Sequence, residues 1–202
     1  MRIPTDEEIR GLHEEFAPTR EAFDLVHTHC RIVCAVAEQL MADRDTGLGS
    51  ALDTALVRAG ALLHDIGVYR LYGPSGEIDH GRYIRHGVLG HDLLREVGLP
   101  EEVARFCSRH TGVGLTRDDV ERQGLPLPPC DYLAETGEEE LVMYADKFHS
   151  KTRPPVFVSA ATAAANLRRF GDGKAARFTA MIDRFGEPDL GPLADAYGHA
   201  LV

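Results

Sequence analysis

The sequence lacks clustered positive charge. Its 202 residues carry 22 Lys and Arg against 32 Asp and Glu, a formal net charge of −10, and the cations form no run. Nucleic acids and anionic membranes are bound by clustered cations that neutralise phosphates. The composition therefore argues against a nucleic-acid polymer or a membrane as partner and favours a small-molecule substrate.

Long apolar runs and paired cysteines are missing as well. No segment approaches the roughly 20 apolar residues that span a bilayer, and the stretch MRIPTDEEIRGLHEEF has no apolar core typical of a secretion signal. The four cysteines, Cys30, Cys34, Cys107 and Cys130, show no CxxC spacing. We expect a cytoplasmic protein in which most thiols are small buried groups without disulfides.

Strand-like alternation is also scarce, and the periodic segments have the helical repeat. Apolar residues recur at steps of three and four from about Thr19 to Met41. Further helices are predicted before His64, over about 83–97 and 101–110, after Thr136, and over 157–170, 173–185 and 189–199. Residues 71–81 and 111–135 are predicted loops, the second long enough for a lid or binding segment. We predict one all-α globular domain over residues 1–202.

The segment HTHC, residues 27–30, places two histidines near the start of the long helix. Val26 lies three residues before His29 and Ile32 three after it, so His29 belongs to the apolar stripe, whereas His27 lies about 200° away from it. A lone histidine on an apolar face is more often a core residue bonded to a carbonyl than a metal ligand. The stripe alone leaves both interpretations of His29 open.

Five other ionisable residues occupy similar inward or helix-end positions. They are His64, Asp65, His86, His110 and Asp146. An aspartate after an apolar run is costly to bury without a cation or hydrogen-bond donors. With His29, these side chains form an N and O ligand set that suits Fe, Mn, Zn or Co, and their number suits two ions better than one.

Five short segments carry a family resemblance. In order and approximate spacing, HCRIV, LLHDIG, HGVLGHDLL, RHTG and YADK resemble the motifs of the HD superfamily of metal-dependent phosphohydrolases. The resemblance looks closest to the dinuclear-metal branch, which includes HD-type dinucleoside polyphosphate hydrolases. It implies an HD-type helical bundle with a metal-binding core over residues 20–150. We assign the C-terminal helical extension, residues 156–202, to packing, to a lid or to the interface of a homo-oligomer.

The resemblance also implies a ligand set and an activity. Carried over residue by residue, His29, His64, Asp65 and Asp146 would hold one ion, and Asp65 would bridge to a second ion held with His86 and His110. The implied cofactors are two divalent transition-metal ions, Fe or Mn first, with Zn, Co, Ni or Mg as alternatives. The implied reaction is hydrolysis of a phosphoester or phosphoanhydride of a small molecule, first of all a nucleotide, by a metal-activated hydroxide. His64 and Asp65 are the implied catalytic residues.

Two positions depart from the family pattern. The branch with a doubled histidine before the TG-like turn has Arg109 in the first place here, so only His110 is available there as a ligand. Many HD hydrolases have a lysine three residues after the HD aspartate, and Val68 stands there in this chain. We predict that other side chains near the proposed ligands bind the phosphate, although an ordinary surface charge is an equal alternative for each arginine. The substrate-binding candidates are Arg82, Arg85, Arg109, Lys147 and His149.

Two other functions remain open at the level of sequence. The same scaffold occurs in a few diiron oxygenases, and this chain could be one that acts on a small polar substrate such as a phosphonate or polyol. The missing lysine is compatible with that activity. The second alternative function is a non-catalytic nucleotide-binding module with a structural metal site. The complete six-residue ligand set argues against it. Hydrolysis is preferred on its frequency in the superfamily, and assays of oxygen uptake and phosphate release separate the three.

Overall fold

A computed structural model describes residues 2–42, 48–74 and 76–202, and helices dominate this part of the chain, as predicted. The α-helices are α1 (Asp6–Phe16), α2 (Arg20–Ala42), α3 (Leu48–Ala51), α4 (Thr54–Leu63), α5 (His86–Glu96), α6 (Glu101–Arg109), α7 (Arg117–Arg122), α8 (Gly137–Ala145), α9 (Ala160–Arg168), α10 (Asp172–Phe185) and α11 (Gly191–Tyr197). Single 3-10 segments cover Ile66–Leu71, His80–Arg85 and Asp146–Phe148. The strands are β1 (His149–Ser150), β2 (Val156–Phe157) and β3 (Ala200–Leu201). Within the described ranges, no helix has both the length and the apolar character needed to cross a bilayer.

The helix starts follow the capping signals in the sequence. The Thr5 hydroxyl accepts from the backbone N–H of Glu8, whose carboxylate accepts in return from the backbone of Thr5, so that two N–H groups at the start of α1 are satisfied. Thr136 caps α8 through the N–H of Glu139. The long helix predicted from Thr19 to Met41 is α2, displaced by one residue at each end.

The core forms around α2, which packs against α4 and α8, while α5 packs against α6 and the segment 66–71. The apolar stripe predicted on α2 is buried, with Val26, Ile32, Val33 and Val36 fully excluded from solvent. Burial of such side chains stabilises the fold by roughly 1.5–3 kcal/mol each. These helices bring the C-terminal ends of α4, α6 and α8 and the N-terminal end of α5 to one region beside α2.

A close backbone approach brings the end of α4 next to α5. A Cβ on Gly67 would lie 2.1 Å from the carbonyl oxygen of His86 and 2.2 Å from the backbone nitrogen of Gly90. Only glycine fits this contact without displacing the backbone. Gly67 therefore lets the residues just before it, among them Asp65, lie beside the start of α5.

The largest differences from the prediction lie in two regions. The predicted loop 111–135 contains the helix α7, which begins with a capping box between Thr116 and Asp119 and is obscured in the sequence by the prolines that follow it. A small sheet joins β1 antiparallel to β2, and β2 parallel to β3. Strands of two residues are too short to show a period of two. The fold is nevertheless helical, as predicted.

Candidate metal centre

The six predicted ligands lie together, and each is positioned by a helix or a helix end. His29 projects from α2, and His86 is the first residue of α5. The other four follow directly on the ends of α4, α6 and α8: they are His64, Asp65, His110 and Asp146. All except Asp146 are buried, and the side chain of Asp146 is only 14% exposed.

Asp65 directs one carboxylate oxygen towards each of two histidine pairs. Its Oδ2 lies 3.3 Å from Nε2 of His29 and 3.7 Å from Nε2 of His64. Its Oδ1 lies 3.4 Å from Nε2 of His86 and 3.5 Å from Nε2 of His110. Two neighbouring groups of nitrogen and oxygen donors therefore share this one carboxylate.

Asp146 belongs to the first of these two groups. Its Oδ1 lies 2.9 Å from Nε2 of His29 and 3.5 Å from Nε2 of His64. The second group has no counterpart of Asp146 among the residues predicted as ligands. The first group thus offers two carboxylates and the second offers one.

Three of the four histidines are oriented by backbone carbonyls. Nδ1 of His64 lies 2.8 Å from the oxygen of Ala61, and Nδ1 of His86 lies 2.7 Å from that of Tyr83. His110 makes the same contact with Phe106 at 3.0 Å. A carbonyl oxygen only accepts, so Nδ1 carries a proton, which leaves Nε2, the atom that faces the cluster, as the metal-binding position.

The donors fit metal ions in spacing and in chemistry. Ligands about 2.1 Å from one ion lie about 3.0–3.4 Å apart in octahedral or tetrahedral geometry. The Nε2 atoms of His86 and His110 are 2.9 Å apart, and those of His29 and His64 are 3.2 Å apart. Oδ1 of Asp65 is fully buried and accepts no hydrogen bond from the described residues. Such an orphaned carboxylate oxygen among histidine nitrogens is the environment that a cation stabilises.

The electrostatics favour the metal-binding protonation state for two of the histidines and both carboxylates, whereas the pKa of His64 is raised well above its usual range, because Cys30 and Asp65 outweigh the effect of burial. Burial lowers the pKa of His29 and of His86 to about 4, which keeps these imidazoles neutral. Burial alone would raise the pKa of the Asp65 carboxyl, but Lys151 and His64 outweigh it and hold that pKa well below its usual range. Lys147 has the same effect on the pKa of Asp146. Neutral imidazole and ionised carboxylate are the forms that coordinate metals.

Two lysines contact the two carboxylates. Lys151, which no sequence pattern identified, donates to Oδ2 of Asp65; burial lowers the pKa of Lys151, but the charge of Asp65 outweighs this effect and raises it. Lys147, a predicted substrate-binding residue, donates to Oδ2 of Asp146 at 2.6 Å. The ammonium group nearest the HD aspartate therefore comes from Lys151, and position 68 is the apolar Val68.

The other substrate-binding candidates lie in different surroundings. Arg82 and Arg85 line a separate cavity of about 520 Å³ that none of the six ligands lines. Arg109 is held by the carbonyl oxygen of Leu133 at 2.5 Å and by Glu135 at 2.5 Å. His149 is buried against His29, with the two Nδ1 atoms 2.9 Å apart. Of the candidates, Lys147 alone lines the cavity at the cluster.

One cavity lies at the cluster, and two others share lining residues with it. The first, of about 230 Å³, is lined by Asp65, Tyr83, Ile84, His86, His110, Thr111, Gly112, Asp146, Lys147 and Lys151. Tyr83 and Lys151 also line a larger cavity of about 610 Å³. Ile84, Thr111 and Gly112 also line an apolar cavity of about 220 Å³ that reaches Leu167 and Phe170. The cavity at the cluster is thus adjacent to two others that differ in size.

The sequence contained only weak signals for Lys151 and Tyr83. Lys151 follows a two-residue strand rather than a helix stripe, so no periodicity directed it inwards. Tyr83 was placed at the start of a predicted helix, whereas it lies in the 3-10 segment before α5. A lysine just before the helix-breaking RPP segment and close to a proposed ligand was the one available hint.

Comparison with protein families gives a match over most of the chain. The model described as HD domain matches residues 26–151. A relative from Methanocaldococcus jannaschii, described as an uncharacterized protein, is 41% identical over 119 residues, which is 58% of this chain and 62% of the relative. A tRNA (cytidine(56)-2'-O)-methyltransferase of Picrophilus torridus is 36% identical over 67% of this chain and 34% of its own length. The chain therefore spans less than two thirds of these relatives.

Solved structures share the fold. The HD domain of the phosphodiesterase PgpH from L. monocytogenes has a TM-score of 0.54 and 17% identity, covering 95% of this chain and 100% of that one. The same domain in complex with cyclic-di-AMP also has a TM-score of 0.54, with 18% identity over 94% of this chain and 97% of that one. At this level of identity the similarity concerns the fold.

Proposed function

The chain belongs to the HD domain family, and on this basis we propose that it is a metal-dependent phosphohydrolase of a small phosphorylated molecule with a dinuclear centre. The observation that carries the proposal is the position of Asp65. One of its oxygens faces His29 and His64, and the other faces His86 and His110. A carboxylate placed in this way would suit a bridge between two ions. We therefore assign His29, His64, Asp65 and Asp146 to one ion, and Asp65, His86 and His110 to the other.

The six ligands and the two lysines have separate tasks in this proposal. When bound, divalent ions neutralise charge on phosphoryl oxygens and make water a better nucleophile at neutral pH. Backbone carbonyls hold His64, His86 and His110 with Nε2 facing the cluster before any ion arrives. In the reaction, water forms a new bond to phosphorus, the bond to the leaving oxygen breaks, and that oxygen gains a proton.

Lys147 and Lys151 supply fixed positive charge in the wall of the 230 Å³ cavity. This volume suits a phosphoryl group rather than a whole nucleotide. An ammonium group beside the site stabilises the charge on phosphoryl oxygens in the transition state. Lys151 accordingly serves in place of the lysine that many HD hydrolases have at the position of Val68.

The organic part of the substrate lies, in our proposal, in the 610 Å³ cavity. Drug-sized ligands and cofactors occupy cavities of about 300–1,000 Å³ with mostly apolar walls and a few polar groups. This one combines Tyr72, Val68 and Ile78 with His80 and Arg153. An aromatic and cationic lining of this kind supports a nucleotide as substrate. The base of a nucleotide can stack on an aromatic ring, and its phosphate charge is negative.

Phosphate release by the Mn²⁺-loaded protein tests the activity. The substrates are nucleoside monophosphates and diphosphates together with p-nitrophenyl phosphate and bis(p-nitrophenyl) phosphate. Asp65→Ala is expected to abolish both metal retention and phosphate release, because it removes the shared carboxylate. His27→Ala is the matched control, since His27 is only half-buried and stacks on Phe23 away from the cluster. Similar behaviour of the two variants contradicts the ligand assignment.

The same protein preparations distinguish the other candidate activities. Oxygen consumption by the iron-loaded protein without phosphate release would favour an oxygenase. Nucleotide binding without turnover of any substrate would favour a binding module. For the nucleotide assignment, Tyr72→Ala is expected to raise KM for a nucleoside monophosphate and to leave KM for p-nitrophenyl phosphate unchanged. An equal change for both substrates would place the nucleoside elsewhere.

A further inference from the structure

Three histidines form a hydrogen-bonded row that leads away from the cluster. Nδ1 of His29 lies 2.9 Å from Nδ1 of His149, and Nε2 of His149 lies 3.0 Å from Nδ1 of His199. The rings of His149 and His199 are stacked, with centroids 5.2 Å apart and an interplanar angle of 23°. His29 and His149 are buried, whereas His199 is partly exposed.

The small sheet places His199 in this row. His149 in β1 pairs with Phe157 in β2, and Phe157 pairs on its other side with Leu201 in β3. Gly198 ends α11 in the left-handed region, at a φ of 66°, and so turns the chain back towards the sheet. Two further backbone hydrogen bonds, from Val202 to Phe157 and from Ser159 to Val202, hold the segment 198–202 in this position.

His29 differs from the other three histidine ligands in what holds its Nδ1. Carbonyl oxygens fix the proton of His64, His86 and His110 on Nδ1, because a carbonyl can only accept. The partner of His29 is an imidazole nitrogen, which donates in one tautomer and accepts in the other. His149 alone therefore does not determine which nitrogen of His29 is a lone pair.

The row as a whole has two directions of donation. In one, His29 donates from Nδ1 to His149, His149 donates from Nε2 to His199, and Nε2 of His29 is a lone pair. In the other, His199 donates to His149, His149 donates to His29, and Nε2 of His29 donates to Oδ1 of Asp146 at 2.9 Å. Only the first direction leaves His29 able to bind a metal ion, so its tautomer is coupled to that of His199.

We propose that His149 and His199 are positioning residues that hold His29 in its metal-binding tautomer, and that the segment 198–202 thereby completes the metal centre. The proposal depends on the metal-centre assignment made above. His199 lies outside residues 26–151, the part that matches the HD domain model. The C-terminal extension would therefore act directly on a ligand of the core rather than serve only as packing.

Metal affinity tests the proposal without reference to turnover. His199→Phe keeps a ring for stacking but removes the acceptor, whereas His199→Asn places an amide oxygen close to the position of Nδ1. We expect His199→Phe to weaken the binding of one Mn²⁺ ion about 10-fold, the low end of the effect of removing a hydrogen-bond partner of a ligand. His199→Asn is expected to restore most of the affinity. His27→Phe, outside the row, is expected to have no effect.

Titration with Mn²⁺ against a competing chelator gives these affinities. Thermal unfolding of each metal-free variant checks that the variant is folded. The proposal would be overturned if His199→Phe and His199→Asn weakened Mn²⁺ binding equally, or if His199→Phe did not weaken it. If Asp65→Ala also left Mn²⁺ binding unchanged, the metal centre itself would be wrong, and the two failures are thereby distinguished.

Nitrogen NMR of the Zn²⁺-loaded protein gives a second, direct measurement. Two-bond correlations between ring protons and nitrogens identify the tautomer of each histidine. We expect the proton on Nδ1 of His29 and on Nε2 of His149 in the wild type, and a mixture of tautomers for His149 in His199→Phe. The opposite tautomers in the wild type would overturn the proposal.

Discussion

Lys151 donates a hydrogen bond to Oδ2 of Asp65, the oxygen that also faces His29 and His64. The side chain of Lys151 is 15% exposed and that of Asp65 is 1% exposed. A buried carboxylate needs a compensating charge. Lys151 provides that charge in the metal-free protein, and a metal ion provides it in addition when bound.

This pairing predicts the behaviour of Lys151→Met. Without metal, the variant removes the main compensating charge of the buried Asp65, which costs up to about 3–5 kcal/mol of the free energy of unfolding. Mn²⁺ should recover most of that loss, because it neutralises the same carboxylate. Urea unfolding in chelator and in Mn²⁺ measures both effects.

Lys174→Met is the matched control for this experiment. Lys174 pairs with Asp119 at 2.5 Å, with side-chain exposures of 17% and 6%, so the pair is buried to a similar degree but lies away from the cluster. Its loss should also destabilise the protein, by less because Asp119 keeps hydrogen bonds from Arg122 and Thr116, and Mn²⁺ should not restore it. Recovery of both variants to the same extent would mean that Mn²⁺ acts elsewhere.

Gly67→Ala is predicted to disturb the part of the metal centre that contains His86 and His110. A Cβ there would meet backbone atoms of His86 and Gly90 at 2.1 and 2.2 Å, and backbone cannot move aside as a flexible side chain can. We expect a destabilised protein that binds one ion more weakly than the wild type does. Gly11→Ala, in α1, has open space around the new Cβ and should instead stabilise the protein by about 0.5–1 kcal/mol. Denaturant unfolding and metal titration of both variants provide the test.

From the burial of His13 we predict that the protein loses stability at mildly acidic pH. It is fully buried between the hydroxyl of Tyr69 and the carbonyl oxygen of Leu62, and burial lowers its pKa from 6.5 to about 4. As the pH falls below 6.5, the unfolded chain binds a proton at His13 and the folded chain does not, so stability decreases until the pH approaches 4. The loss between pH 7 and pH 5 amounts to about 2 kcal/mol from this one residue.

The variant His13→Gln isolates this contribution. It should be less stable at pH 7, because Tyr69 and Leu62 lose their partner, yet its stability should fall less steeply between pH 7 and pH 5. Urea unfolding of the metal-free proteins at several pH values gives the two slopes. Parallel slopes would show that His13 does not titrate on unfolding.

The sequence predicted those features that depend on local periodicity. The stripe on α2 placed His29 inwards, and the helix-end positions of His64, Asp65 and His110 follow from where apolar runs stop. Lys151 and His199 could not be predicted in this way, because their contacts depend on a sheet of two-residue strands that pairs distant segments. Arg82 and Arg85, within four residues of His86 in sequence, line a different cavity because the 3-10 segment before α5 directs them there.

The number of metal ions per chain tests the central claim most directly. We predict that elemental analysis of protein purified without chelators and without air, or reconstituted with Mn²⁺, gives two ions per chain in the wild type and in His27→Ala, and none in Asp65→Ala. One ion or none in the reconstituted wild type would contradict the dinuclear centre and the assignment of His86 and His110 as ligands.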